Sequence, residues 1–263
     1  AVTAALGQAP PWRAFDLTRL ASARKASLKG VSWNTILLRA YALTLREYPS
    51  LNGSWAGDGV RSNPQIGVAL AIDTPVGLMA PVLRDPQNLG IKALDAEIKN
   101  LAAAVKAGKA DPSSMGGGTG TVSNLGSFGV QRFNALLTPP QATALSLGTV
   151  EVQPVFDTDG AIRARTVCEA GLTVDHRVAD GADAARAFAT MQEILDDPFL
   201  LLGWAAAKNS ARRTTFTPSS NYRNTRKEGI TWMSSLGSPP TSSACSMRRR
   251  RRSWLWSAAF CRY

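Results

Sequence analysis

A chain of 263 residues with 44% hydrophobic content suits one globular domain or two small ones. No apolar run approaches the roughly 20 residues that a membrane-spanning helix needs. The formal charge of +11 would suggest a polyanion binder. However, twelve of the thirty Lys and Arg residues, against the single acid Glu228, follow Leu202. The preceding residues are balanced, which excludes an electrostatic case for nucleic-acid binding by the body of the chain.

Residues 1–12 carry few structure signals and lack the charged start and apolar stretch of a signal peptide, so an irregular lead-in closed by Pro10-Pro11 is expected. An amphipathic helix is predicted to start at Phe15-Asp16, with Asp16 as its N-cap, and to run to Lys29-Gly30. Ser32 caps a second helix, Trp33 to Glu47, which stops before Pro49. Its Ile36-Leu37-Leu38 and Tyr41-Ala42-Leu43 content predicts burial on most sides.

Ile66 to Ile72 reads as one buried strand, Asp73 to Gly77 as the turn after it, and Leu78 to Leu83 as a second strand. A long helix is expected from Ile91 to Ala107. Asp111-Pro112 and Gly116-Gly117-Gly118 then break the chain before a strand at Thr119 to Ser123. Ala142 to Val150 and Ala161 to Val174 read as strands flanking the turn Asp157-Thr158-Asp159-Gly160. A last helix follows from Gly181 or Ala182 to about Leu195. Residues 203–263 are rich in Ser, Thr and Arg without a 3.6 or 2.0 period, and a basic, disordered tail is expected there. Cys168, Cys245 and Cys261 show neither metal-ligand spacing nor a disulfide framework, which points to a reducing, cytoplasm-like compartment.

Two segments carry chemistry. His176 is the single histidine, and an unperturbed imidazole is the one side chain that titrates near neutrality. It sits in Asp175-His176-Arg177-Val178-Ala179-Asp180-Gly181, where a strand delivers the ring at the start of a helix. The second segment, Gly117 to Gly126, places the Ser123 hydroxyl and the Asn124 amide at a strand end. Its glycines allow close approach to backbone.

With Tyr48-Pro49-Ser50-Leu51-Asn52, Ile66 to Ala69, Asp73 to Val82 and Pro139 to Ala142, these segments resemble the catalytic domain of the 2-oxoacid dehydrogenase acyltransferases from about Phe15 to Leu202. The histidine motif is also similar to that of chloramphenicol acetyltransferases, which usually have His at the place of Asp175. The resemblance implies an α/β fold (an α+β two-layer sandwich) of the chloramphenicol acetyltransferase type, a mixed sheet with packed helices. The expected organisation is a lead-in at 1–12, a catalytic domain at 13–202 and the tail at 203–263.

The resemblance further implies acyl transfer between dihydrolipoamide and coenzyme A, with His176 as general base, Ser123 as oxyanion donor and Asp180 organising the site through an ion pair. Arg24, Ser32, Asp73, Asn124 and Gly148 would form the coenzyme A side, and no metal is expected. The expected assembly is a homotrimer with active sites between subunits. Its partners would be the dehydrogenase and dihydrolipoamide dehydrogenase components, in the cytoplasm or, in a eukaryote, the mitochondrial matrix. Neither a lipoyl domain nor a peripheral-subunit-binding domain precedes this core, so lipoyl arms are expected from a separate domain or chain. Gly120 stands where the family commonly has an aromatic residue, which predicts weaker strand packing there. A different reading is an inactive, truncated core acting as an adaptor, with Arg248 to Arg252 binding polyanions.

Overall fold

The structure, a computed structural model, describes residues 8–202. The tail reading for 203–263 lies outside the described residues. In chain order the elements are β1 (Gln8–Ala9), β2 (Trp12–Asp16), α1 (Thr18–Ser27), α2 (Trp33–Glu47), β3 (Gly53–Trp55), β4 (Val60–Ser62), β5 (Gly67–Leu70), β6 (Ile72–Thr74), β7 (Gly77–Met79) and β8 (Val82–Arg84). They continue with α3 (Ile91–Lys106), β9 (Gly120–Asn124), β10 (Thr143–Phe156), β11 (Ile162–Asp175), α4 (Gly181–Asp196) and α5 (Pro198–Leu202).

Seven strands form one mixed sheet in the order β1-β11-β10-β9-β5-β8, with β2 also paired to β11. β9 runs parallel to both β5 and β10, and the remaining pairs are antiparallel. Side-chain alternation divides the sheet into two faces. Val68, Leu70, Val122, Leu145, Leu147, Leu172 and Val174 point into the main core, where α2 buries eleven residues. Ala144 points to the other face, against Ala135 and Leu137 of the extended segment before β10. Helices on one face and a sheet beneath them give the expected two-layer α/β sandwich.

Ser32 caps α2 as its sequence predicts, its hydroxyl accepting from the Thr35 amide at 3.1 Å. The buried Arg39 of α2 reaches α5, donating to the Leu201 carbonyl at 2.6 Å, and also donates to the Leu89 carbonyl. These bonds tie α5 to the central helix.

Several local expectations are corrected. Phe15 and Asp16 belong to β2, and α1 spans only Thr18–Ser27. The Asp16 carboxylate still accepts from the Thr18 amide at 2.9 Å, but long-range pairing of Phe15 with Cys168 draws the chain into the sheet. Within the expected lead-in, Gln8–Ala9 and Trp12 pair with β11, and residues 1–7 lie outside the described residues. The run from Ile66 is split: β5 ends at Leu70, and Ile72–Thr74 pairs with Gly77–Met79 as a separate hairpin. Asp73 is therefore a strand residue, and the stretch from Leu78 to Leu83 is divided between β7 and β8. The Ala71 amide bonds the Val122 carbonyl at 3.0 Å, marking where the chain leaves the sheet.

Gly120 does not leave packing weak. A Cβ there would lie 2.5 Å from the Tyr41 hydroxyl, because the Tyr41 side chain, 2% exposed, fills the space above it.

Candidate active site

His176 stands in the turn between β11 and α4, and its imidazole is exposed. The turn is tightly held. The Asp175 carbonyl accepts from the Val178 amide at 2.8 Å and the Ala179 amide at 3.0 Å. The Asp175 side chain, 4% exposed, pairs with the Arg177 guanidinium at 2.7 Å. Burial alone would raise the Asp175 carboxyl, but the Arg177 hydrogen bonds and charge outweigh burial and hold it below the usual carboxylate range.

Asp180 closes the same turn as the N-cap of α4. Its carboxylate accepts from the Asp183 amide at 2.8 Å, and the Asp183 carboxylate accepts from the Asp180 amide at 3.0 Å, a reciprocal capping box. The Asp183 amide is the main reason that the Asp180 carboxyl lies below its ordinary range, with the Arg186 charge a smaller cause. Arg186 itself pairs with Asp183 at 2.6 Å. Where the resemblance implies an ion pair, the Asp180 carboxylate is held among the described residues by backbone hydrogen bonds.

Ser123 is half-buried on β9, paired in register with Ser146 of β10. Alternation puts it on the sheet face away from the helices, together with Thr121, whose hydroxyl bonds the Gln141 amide oxygen. Ser146 is in register with Gly171 of β11, four residues before Asp175. Four residue rises along β11 and two strand spacings across the sheet separate Ser123 from Asp175, the residue before His176, by on the order of 15 Å. One chain does not bring its own Ser123 to its own His176.

A second group gathers at the N-terminus of α2. Arg24 stacks over the Trp33 ring at 5.1 Å and donates to the Val31 carbonyl at 2.8 Å. The Ser32 amide bonds Asp95 of α3 at 3.0 Å, and the Thr35 hydroxyl donates to the same oxygen at 2.6 Å. Lys99 lies 2.6 Å from that carboxylate. Burial would raise the Asp95 carboxyl, but these bonds and the Lys99 charge outweigh it and hold the pKa at about 2. Asn124 joins the group through Asn34 at 3.4 Å.

Gly148 adjoins Asn124 across the sheet, at a bulge in β10. A Cβ there would fall 1.9 Å from the Gln131 carbonyl oxygen, so glycine is required by packing alone. Asp73 stands apart, exposed on the β6–β7 hairpin without a side-chain hydrogen bond or ion pair among the described residues. Sequence reading overlooked Asn34, Thr35, Asp95, Trp55 and any role for Arg177. Of these, only Arg177 had a local signal, its place in the histidine motif.

No group of three or more His, Cys, Asp or Glu side chains among the described residues is arranged to hold a metal ion. No helix among them is long and apolar enough to cross a membrane.

The site residues thus stand on a two-layer sandwich, with an exposed imidazole after one strand and a hydroxyl on another. The family model for the 2-oxoacid dehydrogenases acyltransferase (catalytic domain) matches residues 12–203. The chain belongs to that family.

It is 36% identical over 172 residues to the dihydrolipoyllysine-residue acetyltransferase component of the pyruvate dehydrogenase complex from Zymomonas mobilis, covering 65% of this chain and 39% of that protein. The mitochondrial counterpart from Schizosaccharomyces pombe is 34% identical over 191 residues, covering 71% and 40%. The chain thus spans about two-fifths of the length of these curated relatives. Among solved structures, dihydrolipoamide acetyltransferase from Azotobacter vinelandii superposes with a TM-score of 0.70 at 29% identity, covering 75% of this chain and 85% of that one. That enzyme was examined for the roles of a serine, a histidine and an asparagine in its catalytic mechanism.

Proposed function

We propose that the protein transfers acyl groups between dihydrolipoamide and coenzyme A as the acyltransferase of a 2-oxoacid dehydrogenase complex. His176 accepts the proton of the attacking thiol, whose thiolate is the better nucleophile. The sulfur adds to the thioester carbonyl, and the carbonyl oxygen takes up negative charge. Ser123 donates a hydrogen bond to that oxyanion, an interaction whose removal typically costs about 10²–10³ in rate. Collapse of the tetrahedral intermediate expels the other sulfur, which takes the proton back from His176. Asp180 holds the start of α4 and with it the turn that carries the imidazole.

The observation that carries this reading is the match of residues 12–203 to the acyltransferase catalytic domain, and the separation of Ser123 from His176 within one chain supports a site shared between subunits. A complete site requires His176 of one subunit and Ser123 of another, which a closed ring of three copies supplies. Arg24, Ser32 and Asn124, grouped near the start of α2, and Gly148, beside the strand partner of Asn124, would form the coenzyme A side. Asp73 would join them from its hairpin. The lipoyl group would come from a separate domain or chain, and the dehydrogenase and dihydrolipoamide dehydrogenase components would be the partners. The bacterial and mitochondrial relatives support a setting in the bacterial cytoplasm or the mitochondrial matrix.

Mixed oligomers test this. His176→Ala and Ser123→Ala are each expected to lose transfer from acyl-CoA to dihydrolipoamide. Co-assembled in equal amounts, they should recover about a quarter of wild-type activity, because that share of interfaces pairs an intact His176 with an intact Ser123. Wild-type turnover by His176→Ala, or no recovery in mixtures shown to co-assemble, overturns the reading.

A further inference from the structure

We infer that Asp175, Arg177 and Trp55 form a clamp that positions His176, with Arg177 a positioning residue for the transfer reaction. The inference rests on the acyl-transfer reading above but is argued from the geometry around the turn. Three bonds run from Arg177 back to the one carboxylate of Asp175: Nε to Oδ1 at 2.9 Å, Nη2 to Oδ2 at 2.7 Å and the backbone amide to Oδ1 at 3.1 Å. They close a ring over the single intervening residue, His176. The carboxylate is nearly buried, so an unpaired Asp175 would be costly and the ring is strongly favoured. The planar fork of arginine is needed for the two side-chain bonds, and lysine does not reproduce it.

The guanidinium also meets an aromatic ring. Its central carbon lies 5.6 Å from the ring centroid of Trp55 on the β3–β4 hairpin. That hairpin is anchored by Asn52, 3% exposed, whose side-chain amide donates to the carbonyls of Gln65 at 2.9 Å and Asn63 at 3.2 Å. The Asn52 side-chain oxygen accepts from Thr119, immediately before β9. The Tyr48–Asn52 motif, which carries no reacting group, thereby fixes the platform on which Arg177 rests. Backbone flanking the imidazole is immobilised on both sides, while the ring itself stays exposed and makes no hydrogen bond to another described residue. A general base must be held within about 0.5 Å of its productive position, and here the hold comes from the residues on either side.

His176 is the single histidine of the chain, so its ring signals in a 13C-histidine-labelled, untagged full-length protein are assigned without ambiguity. Arg177→Met is expected to lower kcat by at least about tenfold, with KM for coenzyme A and dihydrolipoamide within about threefold of wild type and the oligomer intact. Added guanidinium ion should restore part of kcat, and the ring resonances should broaden or move toward those of unfolded chain. Trp55→Leu should show the same pattern more weakly. If Arg177→Met does not fold, Arg177→Lys is read by the same measures. Unchanged kcat with an unchanged ring spectrum overturns the clamp, as does a kcat that falls only in proportion to lost oligomer. The ring spectrum needs no turnover, so a failed clamp is distinguishable from a failed assignment of His176 as the base, which His176→Ala alone decides.

Discussion

The Tyr41 hydroxyl lies 2.7 Å from the Thr143 hydroxyl, between the central helix and the sheet and above Gly120. Thr143 donates to the Leu51 carbonyl at 3.2 Å, so Tyr41 donates to Thr143. Burial pushes the Tyr41 phenol well above its ordinary pKa, and it stays a neutral donor. Gly120→Ala would overpack this contact and is expected to cost about 1–3 kcal/mol in urea unfolding. Tyr41→Phe removes the oxygen that the new methyl would strike. The double variant should therefore be less destabilised than the two singles combined, and additive losses would contradict the packing described.

Asp95 links the start of α2 to α3, and its depressed pKa makes the link pH-dependent. A carboxylate with a folded pKa of about 2 stabilises the fold above its unfolded value of 3.8 and loses that contribution as pH falls from about 4 through 2. The shift corresponds to about 2 kcal/mol at neutral pH. Asp95→Asn is expected to be less stable than wild type at pH 7 by about 1–2 kcal/mol, with the difference vanishing near pH 2. Chemical denaturation across that range checks it, and a gap that persists at pH 2 would count against it.

The capping box separates structure from chemistry at Asp180. Asparagine caps helices about as well as aspartate, whereas alanine typically costs about 1 kcal/mol. Asp180→Asn should keep its stability and retain activity within several-fold, and Asp180→Ala should lose stability by that amount. A stable Asp180→Asn protein with a collapsed kcat would show that the charge itself is required.

Gly148 is expected to be intolerant for a packing reason. Its virtual Cβ meets backbone rather than the end of a flexible side chain, so relief requires the Gln131 segment to move. Gly148→Ala should lose more than about 3 kcal/mol or fail to fold, as read by thermal unfolding. A well-folded variant whose defect is confined to coenzyme A affinity would point to a direct ligand role instead.

Arg24 is held by Val31 and Trp33 without an ion pair among those described. Arg24→Ala should raise KM for coenzyme A by about tenfold while leaving kcat and KM for dihydrolipoamide near wild type, since a uniform binding contribution changes KM alone. A matching fall in kcat would exclude that role.

Local signals reached far into this chain wherever the deciding contacts lie within a turn or two. Ser32 and its apolar helix, the Asp157–Gly160 turn and the start of α4 follow from capping, periodicity and turn chemistry. The Asp180 cap is legible as Asp180-x-x-Asp183 directly after the histidine motif. Phe15 and Asp16 read as a helix start because a good N-cap residue precedes helix-forming sequence, while their strand partners Cys168 and Val167 lie about 150 residues away. The break at Ala71 was hidden in a continuous apolar run, which carries no mark of where pairing stops.

The sequence by itself determined the chemistry available: one imidazole, a serine hydroxyl in a glycine-bounded strand, and ordered motifs that define the family. Capping and periodicity set most helices because they act over three or four residues. Only the tertiary structure decided where the groups stand. Sheet register puts Ser123 and His176 of one chain too far apart to share a site, Tyr41 fills the space above Gly120, and Trp55 comes to rest on Arg177. Each of these depends on pairing between residues distant in sequence, whose outcome is set by the whole sheet and not by any local stretch of it.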